Sequence, residues 1–281
     1  MNNRYPPTSV LIPVYYKDEP DHFEQALRSI FLQTVLPSEV LILVDGPVST
    51  HLQETIRLLC DLSPIEIRVI KFPKNLGLPR VLNKGIQETK YSIIFRMDSD
   101  DIADEKRFQN QLEFLIANPD IDLLGGQIKE FLKDTNIVSG LRIVPSNYQD
   151  IIAYSRRRNP FNHMTVMYRK EKILEVGGYN EELTGFEDYG LWVRLIQAGA
   201  RVENLNDFLC YVRTGKHFFG RRSGFKYVQN EVRFINFLRK NNFISFKEKI
   251  FQILIKSSIR FLPPYLIKKI YQYLLRKSPV I

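Results

Sequence analysis

Residues 93–101 read IIFRMDSDD, an apolar strand that runs within three residues into Asp98, Asp100 and Asp101. Like charges crowded at the end of a buried strand repel one another, so something must offset them. A bound cation, a helix N-terminus or solvent could each do so. In Asp-x-Asp on an extended or turning backbone, alternate side chains can lean to one side. A hard divalent ion such as Mg²⁺ or Mn²⁺ takes oxygen ligands, binds through one or two carboxylates, and completes its shell with water and substrate phosphates. Taken alone, the cluster also fits a helix cap at Asp101 or Asp104 with the other carboxylates solvated.

A second acidic pair stands in GFEDYGLWVRLI, residues 185–196. Counting from Asp188, positions i+3, i+4 and i+7 are Leu191, Trp192 and Leu195, so this carboxylate opens the apolar face of an amphipathic helix. Glu187 is turned by about 100° and falls off that stripe. An acid on the inward face near a helix N-terminus is favoured by the dipole yet partly desolvated. Such a group suits removal of a proton from a hydroxyl, and it equally suits a plain complement to the helix dipole. Gly177, Gly178 and Gly185 mark turns, which places the pair after a loop.

The elements that must position these acids alternate. SVLIPV (9–14), VLILV (40–44), IEIRVIKF (65–72) and YSIIFRM (91–97) read as buried strands. Phe23, Ala26, Leu27, Ile30 and Phe31 repeat at helical spacing behind Pro20 and Asp21, with Glu24 three residues on as in a capping box. Further helices fit 49–60, 78–90 and 104–117, the last with Asp104 as N-cap and a stop near Asn118 and Pro119. This cadence predicts an α/β fold with a parallel, doubly wound sheet. Sheets of that kind bind ligands at the carboxyl ends of their strands. Pro13 to Tyr16, Asp45 with Gly46, and Asp98 to Asp101 therefore share one rim. No GxGxxG or Walker loop follows the first strand, which disfavours a dinucleotide or P-loop phosphate cradle.

A chain of 281 residues with 44% hydrophobic composition can bury a sizeable core. Cys60 and Cys210 stand far apart without a Cys-x-x-Cys, which fits a reducing compartment and argues against a zinc or disulfide framework. The beginning MNNRYPPTSV has no apolar signal-peptide region, and no uncharged apolar run approaches the ~20 residues of a spanning helix. These features predict a cytoplasmic protein. The net charge of +9 is unevenly distributed. Residues 216–281 carry 15 Lys and Arg against 2 Asp and Glu, which leaves 25 against 29 in the body. The tail is thus +13 and the body −4, two regions with different solvation tasks.

Seven ordered pieces carry a family resemblance: SVLIPVYY, SIFLQTVLPSEVLILVDGP, KNLGLPRVLNKGI, FRMDSDDIADEKRFQNQLEFL, NPFNHMTVMYRK, VGGYNEELTGFEDYGLWVRL and YVRTGKHFFGRRSG. Spread over residues 8–230, they make the chain resemble inverting family 2 glycosyltransferases of GT-A fold, above all those that build bacterial lipopolysaccharide, capsule and exopolysaccharide. The fold so implied is a Rossmann-like, mostly parallel sheet flanked by helices. The catalytic domain would span 1–230, with a nucleotide-binding part at about 8–125 and an acceptor part at about 126–230. Residues 231–281 would form a basic helical tail.

Carried over residue by residue, the resemblance makes Pro13 and Tyr15 line the nucleotide base and Asp45 hydrogen-bond it. It places Arg80 near base or phosphates, Asp98 at the ribose and Ser99 beside it. Asp100 would hold Mn²⁺ or Mg²⁺ on the diphosphate, with His217 as a further metal ligand. Asp188 would be the base and Glu187 would shape the acceptor site; His163 would contact sugar or acceptor, or else be a buried, hydrogen-bonded histidine. The implied activity is that of a hexosyltransferase using a UDP-hexose donor and a polyprenyl-diphosphate-linked saccharide acceptor.

The tail itself reads as two basic amphipathic helices. Ser245 and Glu248 form a capping-box pattern, Phe246, Ile250, Ile253 and Leu254 share a face, and Pro263 and Pro264 interrupt before Leu266, Ile270, Tyr273 and Leu274. That pattern suits an anionic membrane surface, here the cytoplasmic face of the inner membrane, or packing against the catalytic domain. Two rival functions fit less well. A sugar-1-phosphate nucleotidyltransferase would show a Gly-rich loop where this chain has IPVYYKDEP, and a nucleic-acid-binding module would not alternate its basic residues with large aliphatics.

Overall fold

Strand β1 (Thr8–Tyr15) lies in the middle of a sheet and is covered on both faces, which is why SVLIPV shows no polar alternation. Parallel to it run β2 (Glu39–Asp45) on one side and β4 (Ile93–Arg96) on the other, and β3 (Glu66–Phe72) adds to β2. The helices between them are α1 (Pro20–Phe31), α2 (Thr50–Asp61) and α3 (Leu78–Glu88). The computed structural model describes residues 4–214, 224–260 and Leu266.

Beyond β4 the sheet changes character. β8 (Met167–Arg169) pairs antiparallel with β4, and β6 (Leu123–Phe131) continues antiparallel to β8. β9 (Val202–Arg213) lies parallel to β6, and the two-residue β5 (Ile102–Ala103) closes the order β3-β2-β1-β4-β8-β6-β9-β5. β7 (Val138–Arg142) pairs with β6 off that path. The expected parallel sheet is thus present as its four-stranded N-terminal half.

Alternating side chains of the central strands feed two cores. Val10, Ile12, Val14 and Phe95 face α1, α2 and α4 (Arg107–Ala117), where Phe95 stacks on Phe108 at 4.2 Å between ring centroids. Leu11, Leu41, Leu43 and Ile94 face α3 and α7 (Glu187–Gln197). A third cluster joins α7 to α8 (Phe225–Lys240) through Leu183, Phe186, Tyr189, Val193, Phe234 and Leu238.

Several local expectations are corrected. β3 is an edge strand, half-exposed rather than buried, because no strand among the described residues pairs with its outer side. No side chain caps α1; Glu24 pairs with Arg28 one turn on instead of reaching back. α4 begins at Arg107, not at 104, because Ile102 and Ala103 first pair with β9. Neither Asp101 nor Asp104 is the N-cap: Asp104 accepts the Lys106 N–H in the turn ahead of the helix. Residues 230 and 231 both lie inside α8, whose second half is packed on α7.

Phe234 is fully buried and stacks on Phe186 at 4.9 Å. Phe234→Ala is expected to destabilise the protein by about 3–5 kcal/mol, the usual consequence of truncating a core aromatic. Urea unfolding followed by circular dichroism measures this; an unchanged midpoint would show that α8 does not belong to the catalytic core.

Candidate active site

The strand order turns from β1 to β4 at the centre of the parallel half, and ligands of such sheets sit at the carboxyl ends beside that turning point. Asp98, Asp100 and Asp101 lie there, each with a carboxylate oxygen within 4.8 Å of the others. Asp100 is exposed, Asp98 half-buried and Asp101 buried. Burial and the charges of Asp100 and Asp98 push the Asp101 carboxyl well above the usual range, against the pull of the Arg213 backbone N–H, which donates to Asp101 Oδ1 at 2.9 Å. Arg96 Nη2 meets Asp98 Oδ1 at 2.6 Å from beneath.

Two further residues tie down this rim. Asp18 Oδ2 accepts the Tyr15 N–H at 3.0 Å and the Ser99 hydroxyl at 2.7 Å, so Ser99 is turned toward Asp18. Burial raises Asp18 to about 7, despite those two donors. Arg213, at the end of β9, donates from Nε to the Asp100 carbonyl and lies over the Phe131 ring.

Parallel register sets Tyr15 directly beside Asp45. Pro13 stands two residues earlier on β1 and Tyr16 stacks edge-on against Tyr15. Both Asp45 oxygens accept backbone N–H groups, from Leu76 at 2.6 Å and Gly77 at 3.0 Å, so this carboxylate holds the 73–77 loop against β2. Gly46 lies in the left-handed region and its Cα approaches that loop so closely that a Cβ would fall 2.6 Å from the Asn75 nitrogen. Arg80, on α3, is engaged with the exposed Glu181. His217 lies outside the described residues.

The acidic pair opens α7, as its spacing predicts. Asp188 Oδ1 accepts the Tyr189 N–H at 2.7 Å and Oδ2 accepts the Asn159 amide at 2.6 Å. Burial raises the Asp188 carboxyl, while these two donors and the charge of Arg142 restrain the rise. Glu187 is not off in solvent. Burial and the neighbouring Asp188 charge raise it to about 7, and its Oε2 is buried without a hydrogen-bond partner among the described residues. The single-stripe reading of α7 fails here because α8 covers the second side, burying Tyr189, Gly190 and Val193 as well.

His163 is half-buried and hydrogen-bonded: its Nε2 lies 2.8 Å from the Tyr179 hydroxyl, and its ring packs edge-on against Trp192. Desolvation and the Arg96 charge hold it well below the ordinary imidazole range, so it is neutral. Asn83 of α3 fixes the backbone of Tyr179 from both sides, donating to its carbonyl and accepting its N–H.

Comparison with known proteins now decides the family. Residues 9–178 match the model described as glycosyl transferase family 2. The chain belongs to this family. It is 34% identical over 277 residues, 99% of both chains, to the UDP-Gal:alpha-D-GlcNAc-diphosphoundecaprenol beta-1,3-galactosyltransferase of Escherichia coli. It is 34% identical over 264 residues, 94% of this chain and 97% of the relative, to the amylovoran biosynthesis glycosyltransferase AmsE of Erwinia amylovora. In fold it resembles the mannosyltransferase PcManGT of Pyrobaculum calidifontis, solved with GDP-Man and Mn²⁺, at a TM-score of 0.65 and 15% identity over 91% of this chain and 70% of that one. The architecture is GT-A and the protein is a glycosyltransferase.

For a family 2 enzyme the three clustered carboxylates form an all-oxygen donor set, which fits a hard divalent ion and gives no purchase to a thiophilic one. Sequence reasoning placed the carboxylates but missed Asp18, Arg96, Asn159 and Arg213. Only Asp18 carries a local signal, an aspartate three residues past a strand end, whose N–H closes a turn on the Tyr15 carbonyl while its carboxylate accepts the Tyr15 N–H.

Asn159→Ala removes one of the two donors that favour ionised Asp188, so the Asp188 carboxyl should rise further. If Asp188 must be ionised to work, the acidic limb of the pH–rate profile is expected to move to higher pH, with turnover down about tenfold at neutral pH. An unmoved limb would separate Asn159 from Asp188.

Proposed function

We propose that this glycosyltransferase moves a hexose from a UDP-sugar to a hydroxyl of a growing lipid-linked saccharide, with inversion, in cell-surface polysaccharide biosynthesis. The observation that carries the reading is the pairing of an oxygen-only aspartate cluster after β4 with a half-buried, doubly hydrogen-bonded Asp188 at the head of α7. The Escherichia coli relative, matched end to end, is named for a UDP-galactose donor and a diphosphoundecaprenol-linked acceptor. That name supports the same substrate classes here.

In this reading Pro13 and Tyr15 line the base, and Asp45 frames it by holding Leu76 and Gly77 in place. Asp98 receives the ribose, and Asp100 would hold Mn²⁺ or Mg²⁺. That ion, when bound, supplies positive charge against the diphosphate leaving group. Asp188 takes the proton of the acceptor hydroxyl as its oxygen bonds to the anomeric carbon. The bond from that carbon to the diphosphate oxygen breaks on the opposite face, so one displacement inverts configuration. Glu187, uncharged in part near neutral pH, borders the acceptor without competing as a second full charge.

A membrane-bound acceptor would suit α9 (Phe246–Arg260). Its buried residue is Gln252, which donates to the Arg156 carbonyl, whereas Phe246, Phe251 and Leu254 are more than 60% exposed. Ile250 and Ile255 widen this outward apolar face, Lys249 and Lys256 flank it and Lys247 stands within it, a combination suited to a helix lying on an anionic lipid surface. Of the second tail helix only Leu266 is among the described residues. No helix among the described residues is long and apolar enough to cross a membrane.

A panel of nucleotide sugars with Mn²⁺ tests the reading: UDP-hexoses are expected to raise the melting temperature and to be slowly hydrolysed. Asp188→Asn should keep that thermal protection while losing at least about a thousandfold in transfer, the scale of removing a general base plus its positioning. Near-normal turnover in this variant would reject Asp188 as the base. Separately, a chain ending at Ile244 should pass from membrane pellets to the soluble fraction, and continued sedimentation with anionic vesicles would reject α9 as the lipid contact.

A further inference from the structure

Arg96 ends β4 on the sheet face shared with Leu11, Ile94, Tyr168 and Trp192, and it is 2% exposed. One of its nitrogens, Nη2, is engaged by Asp98; Nε and Nη1 are buried without a hydrogen-bond partner among the described residues. Nothing in strand formation asks for this. The rest of β4 is Ile93, Ile94 and Phe95, and a methionine would fill similar space. Burying a guanidinium with donors unmet is costly, and replacing a buried ion pair by apolar residues of like volume is often neutral or stabilising. The charge is therefore poorly explained as a support of the fold.

Its position offers another reason. Asp98 and Asp101 lie to one side of Arg96, and its field also reaches Glu187 and Asp188 at the head of α7. Arg213 serves Asp100 and Asp101, and Arg142 serves Asp188, but Arg96 faces the donor rim and the acceptor acids together. His163 beside it is neutral, so it does not share that task. The one contact that is short and directional is to Asp98, whose other side faces the open rim.

We propose that Arg96 is a positioning residue for the donor, whose buried guanidinium fixes the Asp98 carboxylate in the orientation that receives the nucleoside diphosphate, at the expense of intrinsic stability. The inference rests on the sugar-transfer reading of this rim. It explains why a strand so apolar ends on a cation, and why that cation is left with unmet donors. A purely structural arginine would be expected to saturate its hydrogen bonds inside the core.

The test is calorimetric titration of UDP with Mn²⁺ into wild type, Arg96→Met, Arg96→Lys, Asp98→Asn and the Arg96→Met/Asp98→Asn double variant, beside nucleotide-free thermal unfolding of each. Arg96→Met is expected to melt at or above the wild-type temperature yet bind UDP about tenfold more weakly, the loss of one charge-assisted hydrogen bond. Arg96→Lys should recover part of that affinity. In the Asp98→Asn background, Arg96→Met should add less than about twofold, because the contact it supports is already gone. An Arg96→Met chain that fails to fold or melts well below wild type, wild-type affinity in Arg96→Met, or a full tenfold loss in both backgrounds each overturns the inference. A wild type that binds no UDP with Mn²⁺ overturns the sugar-transfer reading itself, and this inference falls with it.

Discussion

Carboxylates that must act together repel one another, and the repulsion grows as water is removed from around them. That constraint organises the rim of this sheet. Asp98, Asp100 and Asp101 are brought together by the end of one short strand, and Asp18 is drawn in beside them. Arg96 from below, Arg213 from the end of β9, and the N–H groups of Tyr15 and Arg213 meet them in turn. These counter-groups come from β4, β1 and β9. The cluster can therefore be assembled only when the parallel half and the β6–β9 half of the sheet are joined.

The acceptor side meets the same problem by different means. Helix α7 is wedged between the sheet and α8, so Glu187 and Asp188 both leave water at its first turn. Asp188 keeps two strong donors and Glu187 lacks one for its buried oxygen, so two adjacent acids acquire different protonation behaviour. Environments that push paired carboxyl groups apart are the usual way a site divides acid and base roles. Asn83, Tyr179 and His163 form a neutral, hydrogen-bonded support behind them that connects α3 to α7.

Where the apolar pattern was continuous, the sequence was read correctly. β1, β2 and β4 appear within a residue or two of their apolar runs, since a strand buried on both faces leaves no other reading. Failures cluster where a partner was needed. β3 looked as buried as the others but lies at an edge, and the start of α4 was misjudged because two residues ahead of it pair with β9. Glu187 was placed outside the apolar stripe because nothing local announces that α8 covers the second side of α7.

Residue type and spacing by themselves determined the chemistry on offer: an oxygen-only acidic cluster at a strand end, an acid at the head of an amphipathic helix, and a tail whose charge opposes that of the body. These follow from periodicities of two and 3.6 residues, which act over one element. Tertiary structure decided which of those acids are buried, and which cations and amides answer them. Asn159 lies 29 positions from Asp188, and Arg213 lies 112 from Asp101. Contacts of that range arise from packing of distant segments, and no local pattern encodes them.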